Sequence, residues 1–321
     1  MLEGLVIRAQ SGFLVVRTDA GDFTCRLRGR LKQGAQEGDR VAIGDRVSIT
    51  PHEEGRGVIE TVHDRTAELA RVRSGLKREF RQILLANPDQ IVIVFACAQP
   101  APSLRMLDRF LVIAEKQRVD ALIVANKVDL VSMADAQNTF GLYADLGYPL
   151  MFISALTGQG VDALREGLQG KLSAFTGPSG VGKSSLLNAI QPDLGLQVRS
   201  VSDVTSKGRH TTRVRQLFPL AGGGYVADTP GIRSLALWDT EPEELDAYFV
   251  EMRELVADCQ FSDCTHTHEP GCAVLAAVEA GQVAPQRYHS YLRLRFGDES
   301  DAFAEDEEQD ADQTAPERMD G

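Results

Sequence analysis

Over the first sixty-odd residues, apolar and polar positions alternate in short runs broken by turn residues. Leu5-Val6-Ile7, Phe13-Leu14-Val15-Val16 and Phe23-Thr24-Cys25 are separated by Gly12 and Gly21, and a basic stretch follows at Arg26, Arg28, Arg30 and Lys32. Two similar pieces come next, Gly38-Asp39-Arg40-Val41 and Gly44-Asp45-Arg46-Val47, and then a run around Val58-Ile59. Period-two alternation with this punctuation predicts five or six short strands over residues 1–67, closing into a small barrel. On pattern alone, an OB-type barrel and an unrelated small β-module stand level.

The period changes further on. Residues 68–85 are basic (Arg71, Arg73, Lys77, Arg78, Arg81) and read as a bridge between domains. Ile91–Ala96 is a continuous apolar run, Leu104, Leu107, Leu111 and Ala114 share one helical face over 104–117, and Ala121–Ala125 is a second buried strand. Strand, helix and strand with short connections make the βαβ unit of a parallel sheet. Similar alternation continues to about residue 235. Residues 241–257 and 273–295 then read as helices flanking a cysteine cluster, and the chain after Phe296 reads as a disordered acidic tail.

Composition narrows the function classes. At 43% hydrophobic residues the 321-residue chain has material for a real core, which excludes wholesale disorder. The longest apolar stretch, Ile91 to Ala98, is far too short to span a bilayer. Glu3 and Arg8 interrupt the first apolar run, so no secretory signal is read and the expectation is a cytoplasmic protein without membrane attachment. The net charge of -12 argues against a nucleic-acid partner only until it is located: from Asp298 onward eleven acids face Arg318 alone, leaving about -2 for the rest. Five cysteines are too few and too uneven for a disulfide framework. Cys25 and Cys97 read as packed thiols. Cys259, Cys264 and Cys272 crowd together with histidines, which points to a metal. Three thiolates and an imidazole suit a closed, tetrahedral, structural zinc site, with His266 the leading imidazole and His268 its rival.

The strongest motif is Gly177-Pro178-Ser179-Gly180-Val181-Gly182-Lys183-Ser184-Ser185, a phosphate loop between the strand-like Leu172–Phe175 and a helix beginning at Ser185. Glycines let backbone N–H groups turn onto a β-phosphate. Lys183 would bridge β- and γ-phosphate oxygens, and Ser184 would bind magnesium. Asn126-Lys127-Val128-Asp129 after a buried strand specifies guanine. A carboxylate there accepts from the ring N–H and the exocyclic amine, a donor pair adenine lacks. Ser154-Ala155-Leu156, after the strand Leu150–Ile153, supplies a second base contact through backbone N–H. Asp228-Thr229-Pro230-Gly231 follows the strand Tyr225–Ala227. Asp228 would hold magnesium through water, and the Gly231 N–H would sense the γ-phosphate.

The order of these pieces is unusual, because the base-recognition loops precede the phosphate loop and the magnesium aspartate. With this permutation, Gly208-Arg209-His210-Thr211-Thr212-Arg213 and the cysteine cluster, the chain resembles the circularly permuted GTPases of small-ribosomal-subunit biogenesis, the RsgA (YjeQ) family, from residue 1 to about 296. The resemblance implies an N-terminal OB-type RNA-binding barrel (1–67), a central α/β permuted P-loop GTPase domain (68–235) and a mainly helical zinc domain (236–296), followed by the acidic tail (297–321). It implies one structural zinc held by Cys259, Cys264, His266 and Cys272. It further implies GTP hydrolysis stimulated by the small (30S) subunit and its rRNA in late maturation, by a monomer. Ordinary small GTPases place a water-orienting glutamine just after the Asp-x-x-Gly motif, but Ile232 stands here. His210 is therefore the expected water-orienting group, and Thr212, with Thr211 close behind, the switch threonine on magnesium. The alternatives are a nucleotide-gated ribosome-binding protein with little turnover and an RNA-modification GTPase assisting a partner enzyme. For the second of these, neither additional catalytic cysteines nor a cofactor domain is visible.

Overall fold

The computed structural model describes residues 1–10, 12–29, 40–73, 80–195, 215–228 and 241–297. His210, Thr211, Thr212, Gly231, Ile232, Arg30, Lys32 and the acidic tail lie outside them. The chain divides into two compact units, one of residues 1–102 and 113–239, the other of residues 103–112 and 240–321.

The first unit opens with strands β1 (Leu2–Gln10), β2 (Phe13–Thr18), β3 (Gly21–Leu27), β4 (Arg46–His52) and β5 (Arg56–Val62). They pair in the order β1-β2-β3-β5-β4, and β4 returns to β1. All pairings are antiparallel except β3 with β5, so the ring is a closed five-stranded barrel of the OB kind, as the resemblance implies. Alternation carries the closure. Val6, Leu14, Val16, Cys25, Val47, Ile49 and Ile59 point inward and form one core.

The second Gly-Asp-Arg-Val piece, residues 44–47, has a structural reason. Gly44 takes φ +88, and a Cβ there would stand 2.0 Å from the Ala86 carbonyl oxygen. The buried Asp45 accepts from the Ala42 amide at 2.7 Å and takes both arms of Arg65 at 2.7 and 2.8 Å. These contacts latch the loop before β4 onto the next element, the antiparallel ribbon of β6 (Glu68–Arg73) and β7 (Phe80–Ala86). The basic segment read as a bridge is thus a paired ribbon. Its second strand ends in an unbroken buried apolar run over residues 83–86, which the basic composition of the segment obscured.

The remaining strands of this unit are β8 (Gln90–Ala96), β9 (Asp120–Asn126), β10 (Leu150–Ile153), β11 (Leu172–Thr176), β12 (Arg215–Pro219) and β13 (Tyr225–Asp228). They lie in the order β10-β9-β8-β11-β13-β12, parallel apart from β12. Helices α1 (Leu104–Gln117), α2 (Met133–Asp145), α3 (Val161–Leu168) and α4 (Lys183–Ile190) provide the crossovers. Strands buried on both faces need unbroken apolar runs, and every residue of β8 and β11 is buried. Val92, Val94, Phe175 and Val226 pack with Leu164, Leu168, Leu186 and Ile190 of α3 and α4. From β8 the chain steps outward to β9 and β10, then returns to place β11 on the other side of β8. Strand order therefore reverses between β8 and β11. That reversal opens a crevice at the carboxyl ends of the strands. Cys25 in the barrel and Cys97 just beyond β8 are free thiols whose pKa burial pushes up to about 11, as packed cysteines should be.

In the second unit the sequence predicts two helical blocks, and both are subdivided. The first consists of a 3-10 helix over Pro242–Tyr248, the single turn α5 (Val250–Arg253) and a 3-10 turn over Val256–Asp258. The second splits into α6 (Ala273–Glu279) and α7 (Pro285–Phe296), because Gly281 takes φ +73 and Pro285 starts the next helix. Arg287 is fully buried at the centre of this unit. It donates to both Glu251 oxygens at 2.6 and 3.0 Å and to Asp108 at 2.7 Å, with its guanidinium 4.5 Å over the Phe249 ring. Burial disfavours its charge, yet the two carboxylates outweigh that and hold its pKa above the ordinary arginine value. Arg287→Ala strands two buried acids, so it should cost about 3–5 kcal/mol of unfolding free energy. Urea denaturation against wild type measures this, and a loss below 1 kcal/mol would show the network to be unimportant.

Candidate nucleotide site and metal centre

Five strand ends converge at the crevice. Asn126 ends β9 opposite Ile153 of β10 and Ala96 of β8, and Phe175 of β11 is in register with Asp228 of β13. The phosphate-loop residues leave β11 here. Gly177, Gly180 and Gly182 take φ +135, +75 and +93, the left-handed backbone of an anion-binding nest. A Cβ on Gly177 would lie 2.0 Å from the Val94 oxygen, and one on Gly182 would lie 2.6 Å from the Asn126 amide nitrogen. Glycine is therefore required at both. Val181 is buried in the core and pins the loop, while Ser179 and Gly180 are exposed at its mouth. Lys183 opens α4 and donates to the carbonyls of Gly177 and Pro178 at 2.7 and 2.6 Å. Ser184 and Ser185 follow it, half-buried in the first turn.

Asn126 is fully buried and ties three loops together. Its amide donates to the Val181 carbonyl at 2.8 Å, and its oxygen accepts from the Ala155 amide at 3.2 Å. Lys127 sits in left-handed backbone (φ +62) and donates to the carbonyls of Gln99 and Gly180. Burial draws its pKa below the ordinary lysine value, with the nearby Asp129 carboxylate pulling the other way. Val128 is buried and anchors the turn, which leaves Asp129 exposed. Ser154 Oγ donates to Asp129 and accepts from the Thr157 amide at 3.1 Å, so it both orients the carboxylate and shapes its own loop. An accessible carboxylate held this way can accept a paired donor edge. The sequence makes Asn126 a nucleotide contact. Its role as a buried tie between loops was not legible, because its partners Ala155 and Val181 lie 29 and 55 residues away.

In the second unit, the ligand atoms of Cys259, Cys264, His266 and Cys272 lie within 4.8 Å of one another, a set that can hold a metal ion. His266 Nδ1 is 3.3 Å from Cys272 Sγ and 3.6 Å from Cys259 Sγ, and the two sulfurs are 4.0 Å apart. His268 is exposed and bonded to Thr267, so it is not part of the cluster. The ligand loop is braced from outside. Glu269 accepts from the amides of Thr265, Thr267 and His268, and the Tyr288 and Tyr291 hydroxyls donate to the carbonyls of His266 and Thr265. Sequence reasoning missed Glu269, Tyr288 and Asp246, which carry no motif of their own.

A phosphate loop at the switch point of a parallel sheet, with an Asn-Lys-x-Asp loop tied to it and placed earlier in the chain, defines a circularly permuted P-loop GTPase. The RsgA GTPase family profile matches residues 62–238, and the RsgA N-terminal domain profile matches residues 3–59. The chain belongs to the RsgA GTPase family. It is 47% identical over 296 residues to the small ribosomal subunit biogenesis GTPase RsgA of Gemmatimonas aurantiaca, covering 91% of this chain and 96% of that one. To the Moorella thermoacetica protein of the same description it is 46% identical over 291 residues, covering 91% and 95%. Among solved structures, YjeQ from Thermotoga maritima matches with a TM-score of 0.76 at 40% identity, covering 92% of this chain and 97% of that one. YloQ, described as a circularly permuted GTPase, matches with a TM-score of 0.71 at 34% identity, covering 92% and 94%. No helix among the described residues is long and apolar enough to cross a membrane.

Proposed function

We propose that the chain is a cytoplasmic, monomeric GTPase that docks on the small ribosomal subunit through its barrel (1–67) and its metal-bearing region (236–296). Hydrolysis in the 68–235 domain then drives its release late in subunit maturation. The observation that carries this reading is the Asn126 tie, which holds the guanine-selecting and phosphate-binding loops in one rigid constellation. Asp129 would select guanine, with Lys127 laid along the base and the Ala155 amide beside it. The loop from Gly177 to Ser185 would cradle the phosphates, and Lys183 would exchange its loop carbonyls for β- and γ-phosphate oxygens. Ser184, Thr212 and Asp228 would hold magnesium, which supplies charge neutralisation on those oxygens. His210 would orient the attacking water, since Ile232 has no polar atom for the task, and the Gly231 amide would report the γ-phosphate.

The donor set suits zinc. Bond lengths of about 2.3 Å to sulfur and 2.0 Å to nitrogen in a tetrahedron give N–S edges of about 3.5 Å and S–S edges of about 3.8 Å. The spacings of 3.3, 3.6 and 4.0 Å are of that size. Four protein donors leave no position for a reacting water, so its role is structural.

Turnover of GTP by wild type and His210→Ala, with and without small subunits, tests the proposal. Large stimulation by the subunit should fall by about 10²–10⁴-fold in the variant while GTP still binds, the usual worth of a positioned proton-handling group. Turnover indifferent to the subunit would refute the docking, and stimulation that survives in the variant would remove the role from His210. Slow turnover under every condition would favour a nucleotide-gated binding protein instead.

A further inference from the structure

One half-buried acid next to the cysteine cluster has no part in the chemistry above. Asp246, in the 3-10 helix over Pro242–Tyr248, places Oδ2 3.2 Å from His266 Nε2. The imidazole is fully buried, and the carboxylate side chain is 14% exposed. The other ring nitrogen, Nδ1, faces the sulfurs of Cys259 and Cys272. An ionised carboxylate can only accept, so Nε2 carries the proton and Nδ1 keeps its lone pair for the ion. Flipping the ring would turn a C–H toward Asp246 and take the donor nitrogen away from the thiolates.

We propose that Asp246 is the positioning residue of the metal centre: it fixes the tautomer and orientation of His266 so that Nδ1 is the ligand atom, and thereby sets metal affinity. This rests on the assignment of a metal to Cys259, Cys264, His266 and Cys272. The backbone of His266 is already restrained at φ +59, with its carbonyl bonded to Tyr288, so ring rotation is the freedom left for Asp246 to remove. A carboxylate hydrogen-bonded to a metal-bound histidine also raises the basicity of the donor nitrogen, and its loss commonly weakens binding by about 10–100-fold.

The experiment compares the full-length wild type with Asp246→Ala and Asp246→Asn. Zinc content per chain is measured first, then zinc affinity by competition with a chromophoric chelator, and then the visible spectrum after cobalt substitution. Wild type should hold one zinc per chain, which checks the underlying assignment. Asp246→Ala should bind zinc about 10–100-fold more weakly and shift the cobalt ligand-field bands. Asp246→Asn keeps an acceptor oxygen without the charge, so it should leave the bands in place and bind zinc more weakly than wild type but more tightly than Asp246→Ala. If Asp246→Ala fails to fold, faster zinc release from Asp246→Asn than from wild type carries the test. A wild type without zinc would overturn the metal assignment itself. One zinc per chain with affinity and spectrum unchanged in both variants would overturn only the role of Asp246.

Discussion

Asp129→Asn should turn a guanine-binding protein into one that prefers xanthine nucleotides. The carboxylate of Asp129 is exposed and oriented by the Ser154 hydroxyl, and on the proposed reading it would accept from guanine's ring N–H and exocyclic amine. An amide presents one acceptor and one donor, so the donor meets guanine's amine in conflict. Xanthine carries a carbonyl at that position and restores the match. Two hydrogen bonds to a charged group are worth about 1.5–3 kcal/mol each, so GTP affinity should fall by about 10²–10⁴-fold. XTP affinity should rise toward the wild-type value for GTP. Competition between fluorescent GTP and XTP measures both. Equal loss for the two nucleotides would mean that Asp129 shapes the loop without reading the base.

Stripping the zinc proposed for the cysteine cluster should have a larger effect still, confined at first to residues 241–297. That unit has a small apolar core, chiefly Leu245, Phe249, Met252, Val274, Val283 and Tyr291, and its helices are short. Units of this size need a staple, and structural zinc sites supply about 10–16 kcal/mol of folding free energy. After treatment with a strong chelator, limited proteolysis should cut within 241–297 while GTP binding persists. Resistance to cleavage after complete zinc removal would show that the Arg287 network and the Tyr288 and Tyr291 bonds suffice alone.

Local pattern carried much of this architecture. The apolar run Ile91–Ala96, the spacing of Leu104, Leu107, Leu111 and Ala114, and the glycine-rich loop before Lys183 each express one element's own geometry, and each stands where the sequence places it. The barrel was less legible. Alternation gives strands, but the return of β4 to β1 joins residues more than forty positions apart. The ribbon over 68–86 was masked by its arginines, and its second strand ends in a continuous apolar run over residues 83–86 that does not alternate. At the sites, residue types with fixed chemistry were visible from spacing: Lys183, Asp129 and the three cysteines. The side chains that hold them in place were not. Asn126 ties loops from three parts of the chain, and Asp246 reaches a histidine 20 residues away.

The seam between barrel and parallel sheet carries a mechanical consequence. β1 pairs with β12 through Arg8 with Gln216 and Ala9 with Arg215, and the other edge of β12 pairs with β13, which ends at Asp228. The segment containing His210 ends where β12 begins. A load applied to the barrel is therefore passed through two residue pairs into β12. The barrel cannot be displaced without either carrying β12 along or breaking that short seam. The seam lies at the same end of β12 as the Asp228 end of β13.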